Sequence, residues 1–302
     1  MYDRDRLATL SAVVEQGSFE GAADALGITP SAVSQRIKAL ERQSRHVLVR
    51  RSRPCAATEA GQVLLRLARQ IAVLEDSVSR NLGDGGGDAT GVHLPIAVNA
   101  DSVTHWFLRA VVPLAARHGV RLDLHVDDEE HTAALLREGA VLGAVTTSAA
   151  AVQGCAVRPI GATRYRPVAA RAIHDRWFAG RDPAEAFPVA PRVDFGPKDR
   201  LQTRFVRRIT HRPCTGPAHR VPAADGYHDA VRAGLGWGMF TDAPARAAAD
   251  SGRIVLLDAV RYLDVPLYWQ HWKLSTPVLD ALTDAVQEVA SRILVPPLRE
   301  HR

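Results

Sequence analysis

The sequence predicts an N-terminal all-α head of the winged helix-turn-helix kind, carried on one long helix and followed by a C-terminal α/β domain. Three observations predict it. Residues Gly17 to Arg53 hold two helical patterns split by Gly27, and then a run of arginines. Apolar residues from Leu64 to Val78 recur with gaps alternating between three and four, the spacing of a coiled-coil seam. From Val92 onward, apolar runs of strand length alternate with helical patterns, which predicts parallel sheets covered by helices. A chain of 302 residues can bury a sizeable core and should hold two or three domains.

Asp5 to Gln16 reads as the first helix, with Leu7, Leu10, Val13 and Val14 packing beneath the head. In Phe19 to Leu26, Phe19, Ala22, Ala23 and Leu26 fall at helical spacing. Gly27 stops that helix, and Thr29-Pro30 starts another with a hydroxyl at the cap and proline at the first helical position. In this helix, Ser31 to Arg42, the stripe Val33, Ile37 and Leu40 is spaced for burial. Ser31, Ser34, Gln35, Lys38 and Arg42 lie opposite it, a face of hydroxyls, an amide and cations that suits a DNA major groove. Val47 to Val49 reads as a short strand, and Arg50, Arg51 and Arg53 before Pro54 as a basic wing. Arg36 to Arg53 holds seven cations against the single carboxylate Glu41, a more telling signal than the mild net charge of +5. With Arg36 added for its charge, the expected DNA-binding set is Ser31, Ser34, Gln35, Arg36, Lys38, Arg42, Arg50, Arg51 and Arg53. The alternative reading is a helical pair packed for stability beside a solvated arginine-rich loop.

Thr58 can cap a long helix from Glu59 to about Asn81. Its seam, Leu64, Leu67, Ile71, Leu74 and Val78, packs either on its own domain or on a second chain. Gly83 to Asp88 is a glycine-rich hinge without the Gly-Lys-Ser/Thr of a phosphate loop. Beyond it, strands are expected at Val92–Val98, Val120–Val126, Val141–Thr146, Gly154–Ile160, Arg164–Ala170, Val189–Val193, Ala218–Val221, Gly236–Phe240, Ile254–Leu257 and Val265–Trp272. Helices are expected at Ser102–Arg117, His131–Glu138, Ala172–Phe178, Leu201–Arg208, Asp225–Ala233, Ala243–Ala249 and Pro277–Leu294. This gives a head over 1–58, a linker helix over 59–82, a hinge over 83–91 and an α/β domain over 92–302.

Ligands of open α/β sheets sit beyond the carboxyl ends of strands, against helix N-termini. Here that place holds Asn99, Asp101 and Ser102, with Asp127 and Asp128 ending the second strand. Backbone N–H groups and the Ser102 hydroxyl suit a carboxylate, and the acids suit a cation, so a basic amino acid fits both. The alternative is that Asp101 and Asp128 only cap helices. An α/β enzyme with an accessory DNA-binding head would need a reactive constellation, and no His-Glu-x-x-His, Gly-x-Ser-x-Gly or clustered Cys/His ligands occur. A ligand-independent architectural DNA-binding protein is the third class. No cofactor or metal is expected. Cys55, Cys155 and Cys214 stand far apart, no long uncharged run spans a membrane, and the charged N-terminus lacks a signal-peptide core, which fits the cytoplasm.

The residues Gly17-Ser18-Phe19, Ala22-Ala23, Leu26, Ser31-Ala32-Val33-Ser34, Ile37, Leu40-Glu41, Arg50 and Thr58-Glu59-Ala60-Gly61 occur in the order that marks the LysR-type transcriptional regulators, and the chain resembles that family. Further stretches resemble its ArgP/LysG branch, activators of lysine and arginine export genes: IAVNADS from Ile96, AVTT from Ala144, VQGC from Val152, RYRPVA from Arg164, KDRLQ from Lys198, GLGWGM from Gly234 and LDVPLYWQ from Leu263. Three departures stand out: Arg45 where glycine is usual after the recognition helix, Arg166-Pro167, and Asp225-Gly226-Tyr227. The resemblance implies a periplasmic-binding-protein-like effector domain with two subdomains, I over 92–163 and 266–302 and II over 164–265. It adds Thr147 to the effector residues and favours dimerisation through the linker helix, with a homotetramer on double-stranded promoter DNA. A basic amino acid, lysine or arginine, would act by shifting the population of subdomain arrangements, and the complex would contact RNA polymerase.

Overall fold

A computed structural model describes residues 1–81, 93–126 and 129–296. The hinge expected at 83–91 and the acids Asp127 and Asp128 lie outside these described residues. The chain forms two compact units: Met1–Asn99, Phe107–Arg158 and Trp269–Glu288 make the first, and Ala100–Trp106, Pro159–Tyr268 and Val289–Arg302 the second.

The head opens with α1 (Arg4–Gln16) and α2 (Phe19–Leu26), capped by the side chains of Asp3 and Ser18, which accept from Arg6 N and Gly21 N at 3.0 and 2.9 Å. Helix α3 (Pro30–Ser44) starts with Thr29 accepting from Ala32 N at 3.2 Å. It ends at Arg45 with φ 60°, ψ 24°, so an arginine holds the left-handed position that glycine fills at least cost. Strand β1 (Val49–Arg50) pairs antiparallel with β2 (Ala56–Ala57). The strand expected at Val47–Val49 therefore begins two residues later. Val47 is exposed, and Glu41 Oε1 accepts from Leu48 N at 2.9 Å, so that amide is spent on α3 and not on a strand partner. Thr58 caps α4 (Glu59–Asn81) by accepting from Gly61 N at 3.0 Å.

Leu10, Val13, Val33, Ile37, Leu40 and Leu48 are buried together at the centre of the head. Leu64, Leu65 and Ala68 of α4 belong to the same core, with Leu67 and Ile71 packed against it. Leu64 at 6 % exposure is thus a head residue, a correction to its place in the seam. The helix turn that buries Leu64 turns Val63 outward at 58 %, and Leu74 and Val78 are exposed at 41 % and 55 %.

In the first unit, β3 (His93–Val98) runs parallel to β4 (Arg121–Val126) and to β5 (Gly143–Thr146), and β5 is followed across the sheet by the last strand, β11 (Leu263–Trp272), so that the order is β11-β5-β3-β4. Between β3 and β4 lies one helical run, α5, formed by Ala100–Ser102, a π-type turn at Val103–Phe107 and Leu108–His118. Helix α6 (Glu129–Glu138) leads into β5. The two strands expected at Gly154–Ile160 and Arg164–Ala170 form one, β6 (Cys155–Ala169). Gly161, at φ 129°, interrupted the sequence pattern without breaking the strand; a Cβ there would lie 2.9 Å from Val295 O, where Ala162 pairs with Val295.

The second unit continues with α7 (Arg171–Trp177), α8 (Pro183–Val189), β7 (Arg192–Asp194), α9 (Leu201–Thr210), β8 (Ala218–Arg220), α10 (Ala224–Arg232), β9 (Gly238–Thr241), α11 (Asp242–Asp250) and β10 (Val255–Leu256). Strand β11 (Leu263–Trp272) and helix α12 (Pro277–Ile293) close the fold. Val189, expected to open a strand, ends α8, a helix capped by Asp182 and started by Pro183. Strands β7 and β8 are parallel, but β9 and β10 run antiparallel to β6, so the expectation of parallel sheets holds only in part. Phe187, buried among Phe178, Phe205 and Trp237 with ring centroids 5.0–5.2 Å away, forms the centre of this unit. Among the described residues no helix is long and apolar enough to cross a membrane.

Candidate functional site

Because α3 buries Val33, Ile37 and Leu40, its opposite face is presented outward: Ser31, Gln35, Lys38 and Arg42 are exposed and Ser34 is half-buried. Gln35, Lys38 and Arg42 line a groove of about 460 Å³ together with Arg6 of α1. Arg6 was not singled out from the sequence, since only the crossing of α1 over α3 brings it there. Arg36 also lines the groove, but its guanidinium is held by Asp5 Oδ2 at 3.3 Å and Thr9 Oγ1 at 3.5 Å, which ties α3 to α1. The wing residues Arg50, Arg51 and Arg53 are exposed. Arg51 lies 5.0 Å over the Phe19 ring, which fixes the wing against the start of α2. Cations on a groove and a wing, with hydroxyls and an amide between them, suit a phosphate backbone and base edges respectively.

A second polar cluster lies in the second unit. At the start of α5, Asp101 is half-buried and its Oδ2 accepts from the Tyr165 hydroxyl at 2.5 Å. Burial, reinforced by the Asp101 charge and hydrogen bond, holds the Tyr165 phenol well above its ordinary range. The phenol is therefore neutral and donates its proton in the hydrogen bond to Asp101. Asp199 is close enough to act on both Tyr165 and Tyr227. Its own carboxylate is oriented by Phe195 N at 2.8 Å and Leu201 N at 2.9 Å. Burial lowers the pKa of His228, against an opposing pull from Asp101. Ser102 is 1 % exposed, and its hydroxyl has no hydrogen-bond partner among the described residues. Such a group costs about 1–3 kcal/mol, a cost that a binding role explains. Two carboxylates, a buried hydroxyl and a neutral histidine suit a ligand with a cationic group and a hydrogen-bonding anion.

The structure thus brings Asp101 and Ser102 together with Tyr165, Asp199 and His228, three residues the sequence reading did not assign to the site. Asn99 follows β3 in the first unit, with a buried Oδ1 that has no partner among the described residues. Thr147 follows β5, half-buried, in that unit as well. Two departures from the family pattern serve internal packing. The Tyr227 hydroxyl accepts from Gln202 Nε2 and Met239 N at 3.0 and 2.8 Å, and Arg166, 4 % exposed, pairs with Asp242 and donates to Ala259 O at 2.9 Å.

A helix-turn-helix with a basic outward face, joined to a two-subdomain α/β domain, defines a DNA-binding regulator with a ligand-binding domain. Residues 5–62 match the bacterial regulatory helix-turn-helix protein of the lysR family, and residues 87–291 the LysR substrate binding domain. The regulator LysG of Mycobacterium tuberculosis is 46 % identical over 96 % of this chain and 94 % of its own. The lysine export transcriptional regulatory protein LysG of Corynebacterium glutamicum is 41 % identical over 96 % of this chain and 99 % of its own. The structure of full-length LysG from Corynebacterium glutamicum with bound effector Arg superposes with a TM-score of 0.80 at 39 % identity, covering 98 % of this chain and 100 % of that one. The chain belongs to the LysR family of transcriptional regulators, in its LysG/ArgP branch.

Proposed function

We propose that this regulator responds to a basic amino acid, arginine or lysine, and activates the gene of an amino-acid exporter. The adjacency of the Asp101 carboxylate and the unpartnered Ser102 hydroxyl carries the reading. The α-carboxylate sits at the start of α5, where free N–H groups and the helix dipole favour an anion. The cationic groups face Asp101, with Asp199 beside it. The relative crystallised with arginine supports the same ligand class. Calorimetric titration of the full-length protein against arginine, lysine and histidine, with neutral and acidic amino acids alongside, tests it. A neutral or acidic compound binding better than arginine and lysine would overturn it.

The heads read DNA through Ser31, Ser34, Gln35, Lys38 and Arg42, with Arg6, Arg50, Arg51 and Arg53 on phosphates. Gln35→Ala should cost about 1–3 kcal/mol on sites selected from a random DNA pool and less on unselected DNA. Arg6→Ala should weaken binding to both alike and reduce the salt dependence by about one phosphate contact. Fluorescence anisotropy over a salt series separates the two, and equal losses on both DNAs for Gln35→Ala would remove its base-reading role.

Two chains pair through the outward seam Val63, Leu74 and Val78, with the half-buried Leu67 and Ile71 at its edge, and two dimers form a tetramer that engages RNA polymerase. The exposure of Val63, Leu74 and Val78 supports this pairing. Leu74→Glu should dissociate the dimer while leaving each head folded, because the charge enters only the seam. Leu64→Glu should instead unfold the head, Leu64 being part of its core. Sedimentation velocity and thermal melts read both, and an unchanged oligomer with Leu74→Glu and Val63→Glu would remove the seam.

A further inference from the structure

In the first unit, α4 meets the effector domain at a corner closed by Glu138 and Gly139, the end of α6. Gly139 is left-handed at φ 69°, and a Cβ built on it would fall 2.9 Å from Trp272 Cζ2, 3.0 Å from Arg66 Cα and 3.1 Å from Arg66 Cγ. Only a glycine lets α4 and β11 close on the corner from both sides. Two arginines one turn apart on α4 fasten it. Arg69 donates to Glu138 O at 3.2 Å and reaches Glu15 of α1 at 3.8 Å. Arg66 donates to Gln153 O at 3.5 Å. The end of α6 carries the negative pole of that helix, so a cation is favoured there beyond the hydrogen bond itself.

The carbonyl that Arg66 holds belongs to a strap that is itself tied down. Gln270, fully buried, accepts from Val152 N at 3.1 Å and donates to Ser148 O and Ala150 O, each at 3.0 Å. The strap runs from Thr147, an effector residue expected from the sequence, to Gln153, where α4 is attached. Gln270 and the strap thus join the end of β5 to Arg66, and Arg69 joins Glu138 to Glu15 of α1.

We propose that Arg66 and Arg69, clamped on the Gly139 corner and the 147–153 strap, are the positioning residues through which the effector domain sets the DNA-binding head. This rests on the arginine-responsive reading above. Neither arginine touches the proposed ligand or DNA contacts, so loss of the clamp should uncouple two intact binding events. The test uses the full-length protein and the variant Arg66→Met/Arg69→Met, which keeps the aliphatic stems, with Gly139→Ala as an independent way to pry the corner open. Coupling is the ratio of affinities for DNA selected from a random pool, with and without saturating arginine, and in the parent it should be at least about 5-fold. In both variants the ratio should fall to near one while calorimetry gives the parent's arginine affinity. A variant that keeps the parent's ratio overturns the clamp.

Hydrogen exchange without ligand or DNA supplies a second readout. Amides of 62–72, 138–142 and 150–154 should exchange faster in both variants than in the parent, and equal exchange also overturns the proposal. If the parent binds no arginine, the ligand reading fails by calorimetry, and exchange still decides the clamp. Should the double variant fail to fold, Arg66→Met alone is compared with the parent in both readouts.

Discussion

Asp101→Asn should abolish the response to arginine and lysine while leaving ligand-free DNA binding unchanged. Asparagine keeps the shape of the side chain and an oxygen that can accept from the Tyr165 hydroxyl, so the local packing survives. The negative charge does not. A cationic ligand group facing a half-buried carboxylate makes a charge-assisted bond, and removing one partner of such a pair costs about 2–5 kcal/mol. That is roughly a 30- to 4000-fold loss in affinity. Because burial already holds Tyr165 neutral, the phenol cannot supply the missing charge. Asp199→Asn should weaken binding less, since two backbone amides orient its oxygens. Calorimetry on both variants reads the difference, with anisotropy on DNA as the control for folding. Asp101→Asn binding arginine as the parent does would show that another group carries the charge recognition.

The head was legible because its signals are local. Thr29 and Thr58 cap helices where their positions before helical patterns said they would. The stripe Val33, Ile37 and Leu40 is buried, as a spacing that fits one helical face requires. The burial of the α4 stripe was half legible. A gap pattern of three and four fits two neighbouring stripes, and only the packing of α4 on its own head selects Leu64 for the core and Val63 for the outside. The polar cluster was the least legible. Asp101 and Ser102 announce themselves at a strand end, but Tyr165, Asp199 and His228 come from β6, the loop before α9, and α10. No local spacing joins residues so far apart in the chain. The family pattern quoted the stretches that hold Tyr165 and Asp199 without saying that they converge. Arg6 was missed for the same reason, since its helix reads as a packing element until its crossing over α3 is known.

Gly61→Ala should destroy DNA binding even though alanine is the better helix former. On propensity alone the change would stabilise α4 by about 0.5–1 kcal/mol. Sterically it cannot. A Cβ on Gly61 would lie 2.0 Å from Leu48 O, 3.0 Å from Leu48 C and 3.3 Å from Ala57 Cβ. The nearest obstacle is main chain, and that main chain is fixed on every side. Leu48 is fully buried, its N–H is held by Glu41 Oε1 at 2.9 Å, and its carbonyl accepts from Thr58 N at 2.9 Å. The Thr58 hydroxyl holds the neighbouring Val47 carbonyl at 2.6 Å. Relief therefore requires lifting α4 off the strand β1–β2 ribbon, which breaks the Thr58 cap and frees the wing that carries Arg50, Arg51 and Arg53. Overpacking a well-filled core costs about 1–3 kcal/mol where side chains can yield, and a backbone obstacle places this substitution at or above the upper end. The Thr-x-Ala-Gly element of the family pattern thus has a physical reading: threonine caps α4 and glycine lets the cap sit on the wing. The head of the variant should melt earlier than the parent's and lose affinity for selected and unselected DNA together, while arginine binding in the second unit persists by calorimetry. A variant that melts later and binds DNA as the parent does would mean that the approach of Gly61 to Leu48 is not made in solution, and the wing would need another anchor.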